Sequence, residues 1–143
     1  MKNFTAKLEL RIDWSEIDFF GHVNNLSILK YIQSARVNYL EITGLMQLQS
    51  EIKVGPILAS TTCQFLKVLF YPGKITIYSK VEIIKNTSFI IQHKIFNDQN
   101  EIAAEAQDII VVFDFNKNTK MPIPDKIKKN IAELENMDLY LHQ

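Results

Sequence analysis

The sequence predicts an α+β fold in which an antiparallel sheet wraps around one long helix. One alternating strand comes first, a single long helical pattern at residues 26–43 follows, and four strand-like segments joined by short turns complete the chain. Short turns imply antiparallel neighbours. The apolar face of such a sheet needs a cover, and before the C-terminus only the long helix can provide it. With 143 residues, of which 47% are apolar, the chain is expected to form a single domain, 1–143.

The first strand and the long helix differ in the period of their apolar residues. Residues 4–14 alternate between apolar and charged side chains, as in a half-buried strand. Residues 26–43 repeat apolar side chains every three or four positions, which is typical of a helix about 27 Å long. Asn24 or Asn25 is a good N-cap for this helix, and Gly44 is a good C-cap.

The four later strands are predicted from alternating residues bounded by turns. They fall at residues 54–70, 74–85, 89–95 and 102–115. The first is interrupted at Gly55-Pro56, and a loop at residues 116–124 leads to a short terminal helix at 125–134. Four apolar residues are assigned to the other surfaces of the sheet and suggest a subunit interface; they are Ile90, Phe96, Ile110 and Val112.

Composition argues against several classes of protein. The formal net charge is zero, whereas a general nucleic-acid binder carries a basic excess. Cys63 is the only cysteine, so no internal disulfide can form, and a reduced, cytoplasmic location is expected. No segment resembles a signal peptide or a membrane span, and no residues have the spacing of metal ligands. We therefore expect no nucleic acid, membrane or metal as a partner.

One local charge excess stands out. Residues 117–130 hold five lysines against one acidic residue, Asp125. Such a run is usually a solvated surface, and the alternative is a rim that binds phosphate groups.

The segment 18–25, DFFGHVNN, carries the residues most suited to chemistry. A carboxylate ends one apolar segment, a glycine turn follows, and two asparagines open the long helix. This order places a base beside a helix N-terminus, where backbone N–H groups are free. A base next to an oxyanion-binding helix end suits acyl transfer.

Residues 11–25, RIDWSEIDFFGHVNN, resemble the opening signature of the hotdog-fold acyl-CoA thioesterases, in particular the 4-hydroxybenzoyl-CoA thioesterase-like branch. Weaker similarities follow in the expected order along nearly the whole chain: Ala35-Arg36, Gly55-Pro56, Pro72-Gly73, Ser88-Phe89 and Pro122-Ile123-Pro124. The resemblance implies a hotdog fold, a five-stranded antiparallel sheet wrapped around the helix. It also implies hydrolysis of an acyl-CoA thioester by a homodimer or homotetramer.

The resemblance assigns roles to four residues of the segment 18–25. Asp18 takes the place of the family's general base or nucleophile, since a carboxylate can activate water or attack the thioester carbonyl. Taken alone, Asp18 could instead cap a turn. Asn25 matches the oxyanion donor through its backbone N–H, and Gly21 allows close approach of the backbone to substrate. His22 either takes part directly or orients the Asp18 loop.

Coenzyme A in relatives lies across a subunit interface, with basic side chains meeting its phosphates. Ser88, Lys85 and Lys67 are the candidates by position. Coenzyme A would be part of the substrate, so no cofactor is expected. Two departures from the family pattern leave the substrate preference open: Ile28 stands where many members have Tyr, and Gln33 stands where many have Glu.

Three other residues are interpreted as structural. Arg36 is expected to pair with a buried acid or with backbone. His93 shares a strand face with apolar residues, which is typical of a packed, hydrogen-bonded histidine. Cys63 is interpreted as a small packing residue.

Two alternative functions stay open. The chain could remove acyl groups from an acyl carrier protein, and the basic residues 117–129 would then suit an acidic carrier. It could also be a non-catalytic acyl-CoA-binding module, because a fold does not fix a function.

Overall fold

The structure, a computed structural model, describes residues 4–138. The helices are α1 (Asn25–Thr43), α2 (Leu45–Ile52) and α3 (Asp125–Glu135). The strands are β1 (Ala6–Arg11), β2 (Val54–Phe65), β3 (Lys74–Ile84), β4 (Ser88–Phe96), β5 (Ile102–Asp114) and the short β6 (Thr119–Lys120). The main strand order is β1-β3-β4-β5-β2, with β6 on β5, and all pairs are antiparallel.

The long helix α1 contacts all five main strands. Its ends are set by the sequence. Asn24 is the N-cap, and its Oδ1 accepts hydrogen bonds from the N–H groups of Leu26 at 2.7 Å and Ser27 at 3.3 Å. Gly44 ends the helix at φ 87°, a left-handed conformation that glycine adopts without a Cβ clash. These findings confirm the predicted α+β fold, the hotdog arrangement of a sheet around one helix.

The buried core forms two groups along α1. The group at the N-terminal half of α1 includes Ile28, Tyr31, Ile32, Ile75, Ile77 and Ile95. The group at the C-terminal half includes Tyr39, Leu40, Phe89, Ile91, Ile110, Ile127 and Ile131, so it also holds α3 in place. Burial of each large apolar side chain contributes about 1.5–3 kcal/mol. The segment before α1 is thus fixed at one end of the sheet, and α3 covers the other end.

Several segments of the chain differ in secondary structure from the prediction. Helix α2 was not predicted, because eight residues hold too few periods for a reliable pattern. The dipeptide Gly55-Pro56 does not interrupt β2, since an edge strand tolerates a missing N–H. Strand β2 instead ends at Phe65, and residues 66–70 form no strand.

The assignment of Ile110 and Val112 to another surface of the sheet is wrong. Both are completely buried in the core group that contains Tyr39 and Phe89. The strand around them is a run of five apolar residues, 109–113, and such a run gives no alternation from which to orient a strand.

A buried polar network joins α1 to four strands, β2, β3, β4 and β5. Arg36 Nε donates to Asp108 Oδ2 at 2.9 Å, and Thr61 Oγ1 donates to Asp108 Oδ1 at 2.7 Å. His93 Nε2 lies 2.8 Å from Asp108 Oδ2, and its Nδ1 lies 2.6 Å from Ser79 Oγ. Since Asp108 and His93 are both buried, the structural interpretations of Arg36 and His93 are confirmed.

The charge on Asp108 is held in place by this network. Burial by itself raises the pKa of the Asp108 carboxyl group, but the hydrogen bonds from His93 and Arg36 outweigh burial and keep that pKa below its usual value. The folded state therefore favours the ionised form of Asp108, and the Asp108 carboxylate stabilises the fold.

Replacing Asp108 with Asn is expected to lower the free energy of unfolding at pH 7 by about 1.5–3 kcal/mol, the range for a hydrogen bond to a charged group. The amide keeps the shape but leaves Arg36 without its counter-charge. Because the folded pKa is depressed, this stabilisation is present above about pH 4 and is lost as the pH falls through the folded value. Urea unfolding from pH 7 to pH 3 should therefore show a flatter pH dependence for the variant than for the wild type.

The matched control is Glu9→Gln, which removes an exposed ion pair with Lys7, 3.3 Å long. Exposed pairs contribute at most about 1 kcal/mol, so this change should be small. Equal stability of the Asp108→Asn variant and the wild type at pH 7 would contradict the stabilising role of the Asp108 carboxylate.

Candidate active site

Asp18 opens the tight turn that precedes α1. Its main-chain oxygen accepts a hydrogen bond from the Gly21 N–H at 3.1 Å, and its Oδ1 accepts one from the Phe20 N–H at 2.9 Å. Gly21 has a φ of 83°, so any other residue there would strain the turn. Within residues 4–138, no donor bonds the second carboxylate oxygen, Oδ2. Asp18 therefore uses one carboxylate oxygen in the turn and keeps the other free. Its interpretations as a turn cap and as a catalytic base or nucleophile are compatible.

Backbone hydrogen bonds fix both ends of the Asp18 turn. The Asp18 N–H donates to the main-chain oxygen of His22 at 2.9 Å, and the Val23 N–H donates to that of Leu69 at 2.8 Å. The Asn24 N–H donates to the main-chain oxygen of Glu16, also at 2.9 Å. These bonds hold the turn against the start of α1.

The start of α1 leaves one backbone donor free. Asn24 caps the N–H groups of Leu26 and Ser27 through its side chain, and its main-chain oxygen accepts from Ile28 at 3.2 Å. The N–H of Asn25, the first helical residue, has no acceptor in the described part of the chain. It lies at the positive end of the helix dipole and can donate a hydrogen bond to an anionic oxygen.

A cavity of about 270 Å³ joins Asp18 to this helix end. It is lined by Asp18, His22, Val23, Asn25, Ile28 and residues 65–68. Asp18 and Asn25 thus line one cavity whose other walls are largely apolar. Lys67 is the one cation among the lining residues, and its Nζ pairs with Glu101 Oε2 at 2.5 Å.

A second cavity, about 380 Å³, is larger but is a weaker candidate. It spans β2, β4 and β5, and its lining includes Gln64, Gln92, Gln107 and Lys94. All its lining residues belong to strands, so no helix N-terminus faces it. The Asp18 cavity combines an acid with a free donor and is therefore the better candidate for chemistry.

The structure brings together four of the residues singled out from the sequence. Asp18, His22, Asn25 and Lys67 line the same cavity, and Gly21 shapes the turn beside it. The His22 ring packs edge-on against the Phe70 ring, with centroids 5.3 Å apart. This contact agrees with a supporting role for His22 in the turn. The roles of all these residues stay predictions.

Lys85 and Ser88 lie elsewhere in the chain. They flank the turn between β3 and β4, where the Lys85 N–H donates to the Ser88 main-chain oxygen at 2.7 Å. The cavity lies toward the opposite end of β3, because Val68 in its wall also lines a smaller pocket with Lys74, and eleven strand residues span roughly 35 Å. One chain does not bring Lys85 and Ser88 to the Asp18 cavity, and their role in binding coenzyme A stays a prediction.

Lys67 was identified from the sequence, but its neighbours in the cavity wall, Phe65, Leu66 and Val68, were not. Residues 65–68 reach the cavity because β2 ends there and the chain turns back toward β3. Val23 joins them through its bond to Leu69. No local pattern signals this contact, since it depends on where a distant strand ends.

Two negative findings hold for the residues that the structure describes. Within 4–138, no three His, Cys, Asp or Glu side chains are grouped as a metal ion would require. No helix in the same range has the length and apolar character needed to cross a membrane.

The chain is similar to several known proteins. Residues 12–131 match the model of the thioesterase-like superfamily. An acyl-acyl carrier protein thioesterase from the chloroplast of Arabidopsis thaliana is 29% identical over 135 residues, 92% of this chain and 70% of that protein. The Bacillus subtilis protein YsmA is 25% identical over 91 residues, 64% of this chain. That match spans 59% of YsmA, less than two thirds of its length.

Solved structures share the fold. A thioesterase from Thermus thermophilus, complexed with coenzyme A and zinc, superposes with a TM-score of 0.85 at 20% identity, over 96% of this chain and 99% of that one. A 1,4-dihydroxy-2-naphthoyl-CoA thioesterase from Synechocystis gives 0.79 at 17% identity, over 90% and 96%. At such identities the likeness concerns the fold alone. The family model, which covers most of the chain, decides the assignment: the chain belongs to the thioesterase-like superfamily.

Proposed function

We propose that the chain hydrolyses the thioester of an acyl-CoA to a free acid and coenzyme A, with Asp18 as general base or nucleophile. The observation that carries the proposal is that Asp18, which has an unbonded carboxylate oxygen, and Asn25, which has a free N–H, line the same cavity. These are the two elements that acyl transfer requires, a group that activates or provides the nucleophile and a fixed donor for the oxyanion.

In the proposed reaction, the thioester carbonyl oxygen points to the N–H of Asn25. Asp18 either takes a proton from a water molecule that attacks the carbonyl carbon, or attacks that carbon itself to give a mixed anhydride that water then hydrolyses. In both routes the carbonyl oxygen becomes negatively charged and is stabilised at the helix end. The C–S bond then breaks, and the coenzyme A thiolate leaves and takes up a proton.

The walls of the cavity suit an acyl group larger than acetyl. Val23, Ile28 and the apolar residues among 65–68 line it. Ile28 in particular places an aliphatic side chain where many relatives have a tyrosine hydroxyl. The coenzyme A held by the Thermus thermophilus thioesterase also supports an acyl-CoA substrate.

The second candidate is hydrolysis of an acyl group on a carrier protein, which the Arabidopsis relative favours. The basic residues 117–129, however, lie far from this chain's cavity. Helix α3, with three of the lysines, packs at the C-terminal end of α1, where Asn130 Nδ2 donates to the Thr43 main-chain oxygen at 2.8 Å. Nineteen residues of α1, about 28 Å, separate that end from Asn25. Acyl-CoA is therefore the first candidate.

A substrate panel tests the proposal. Thiol release is measured with acetyl-, octanoyl-, palmitoyl- and benzoyl-CoA, and with the same acyl groups on carrier protein. We expect turnover of the larger acyl-CoAs to exceed that of acetyl-CoA by at least about tenfold, since each buried CH₂ contributes about 0.8 kcal/mol. Preference for carrier protein at equal acyl group would favour the second candidate. Tight binding of acyl-CoA without thiol release would favour a non-catalytic binding module.

The homodimer or homotetramer predicted from the sequence belongs to this proposal. Strand β2 is an edge of the sheet, and Leu58 and Phe65 on it are exposed. An unpaired edge of twelve residues is a surface that a second copy can extend. Sedimentation of the purified chain as a monomer would overturn this part of the proposal.

A further inference from the structure

We infer that Glu16 and Tyr31 form a clamp that positions the two active groups of the site, Asp18 and the N–H of Asn25, relative to each other. The inference rests on the proposed function for its kinetic consequence, but the clamp itself is a property of the structure. Neither residue lines the cavity, so both would act through the residues they hold.

The clamp consists of one carboxylate oxygen with two donors. Glu16 Oε1 accepts the Tyr31 hydroxyl at 2.6 Å and the Asp13 N–H at 2.8 Å. Tyr31 is buried on α1. Burial and the bond to Glu16 raise the pKa of the Tyr31 hydroxyl, so it stays protonated and keeps donating. The bond thus ties the segment before the turn to the helix after it.

The main chain of Glu16 connects this clamp to the active groups. Its carbonyl oxygen accepts the N–H of Asn24, the residue next to the Asn25 donor. Its neighbour Ile17 forms an isolated bridge with Val23, and Asp18 follows directly. Displacement of Glu16 would therefore shift the carboxylate and loosen the helix start together.

The helix makes the clamp a rigid reference. Tyr31 lies six residues after Asn25 on the same helix, about 9 Å along its axis. The Tyr31 hydroxyl therefore fixes the turn to the same element that presents the Asn25 donor. A shift of about 1 Å between reacting groups can cost on the order of a hundredfold in rate, so this attachment matters for catalysis.

The chain offers a matched control at the other end of α1. Tyr39 is also buried and also donates its hydroxyl to a glutamate, Glu135 of α3. Removing either hydroxyl deletes one tyrosine–glutamate bond and keeps the ring. Only Tyr31 contacts the segment that holds Asp18.

The kinetic test compares Tyr31→Phe with Tyr39→Phe, using the acyl-CoA that the wild type prefers. We expect Tyr31→Phe to lower kcat about tenfold with KM changed less than twofold, and Tyr39→Phe to leave both values near wild type. Glu16→Ala should match Tyr31→Phe, while Glu16→Gln, whose amide oxygen still accepts both bonds, should keep most of the activity. Equal losses for the two tyrosine variants, or no loss for Tyr31→Phe, would overturn the inference.

Hydrogen exchange separates failure of the clamp from failure of the proposed function. The amides of Asp18, Val23 and Asn24, all hydrogen-bonded in the wild type, should exchange at least about fivefold faster in Tyr31→Phe and unchanged in Tyr39→Phe. If the wild type hydrolyses no thioester but the two variants show these exchange rates, the clamp stands and the proposed function falls. If these amides exchange at the wild-type rate in Tyr31→Phe, the clamp is excluded whatever the activity.

Discussion

Asp18→Asn should lower kcat/KM for the preferred acyl-CoA by about 10²- to 10⁴-fold, the contribution of a positioned general base. The amide can still accept the hydrogen bond from the Phe20 N–H that the carboxylate accepts now at 2.9 Å. The turn should therefore persist. An amide cannot take a proton from water or form a mixed anhydride, so the chemical step alone is affected.

Asp13→Asn is the matched control for this variant. Asp13 belongs to the same segment, and its Oδ2 accepts the Ser15 N–H at 3.0 Å, a bond that an amide oxygen can also accept. Asp13 does not line the cavity. Thiol release should stay near wild type for Asp13→Asn, and urea unfolding should show both variants folded. Wild-type kcat/KM in Asp18→Asn would exclude Asp18 as base or nucleophile.

The part of the site that the sequence predicts is the part that is contiguous in the sequence. Asp18 and Asn25 are seven residues apart, and the turn and helix cap between them follow from Gly21 and Asn24 alone. Local rules therefore suffice to place a carboxylate beside a helix end. The sheet and its cover were predictable for the same reason, because alternation and short turns are local signals.

Other contacts depend on where distant strands end or pair. Arg36 was expected to meet an acid, but that acid, Asp108, is 72 residues away and becomes identifiable only through the sheet register. Lys67 reaches the cavity because β2 ends beside it. Lys85 does not, because it follows the far end of the long strand β3. Glu16 gave no signal of its own, since its importance arises from the position of Tyr31 on the packed helix.

Asn25→Pro should remove the oxyanion donor and leave the fold in place. Asn25 is the first residue of α1, a position where proline is well tolerated because its N–H is not needed by the helix. The preceding residue, Asn24, has φ −73° and ψ 152°, an extended conformation that a following proline allows. The substitution therefore deletes one N–H with little cost to the helix start.

Loss of one oxyanion donor costs about 10²- to 10³-fold in kcat, so Asn25→Pro should approach the loss seen in Asp18→Asn. Asn25→Ala keeps the N–H and removes only the exposed side chain, so it should retain near-wild-type kcat. Because the interaction forms with the oxyanion, kcat and kcat/KM should fall equally in the proline variant. Full activity in Asn25→Pro would place the oxyanion elsewhere, and equal losses in both variants would assign the effect to the side chain. The pair thus tests whether the helix end stabilises the oxyanion through its backbone, independently of how Asp18 activates the nucleophile.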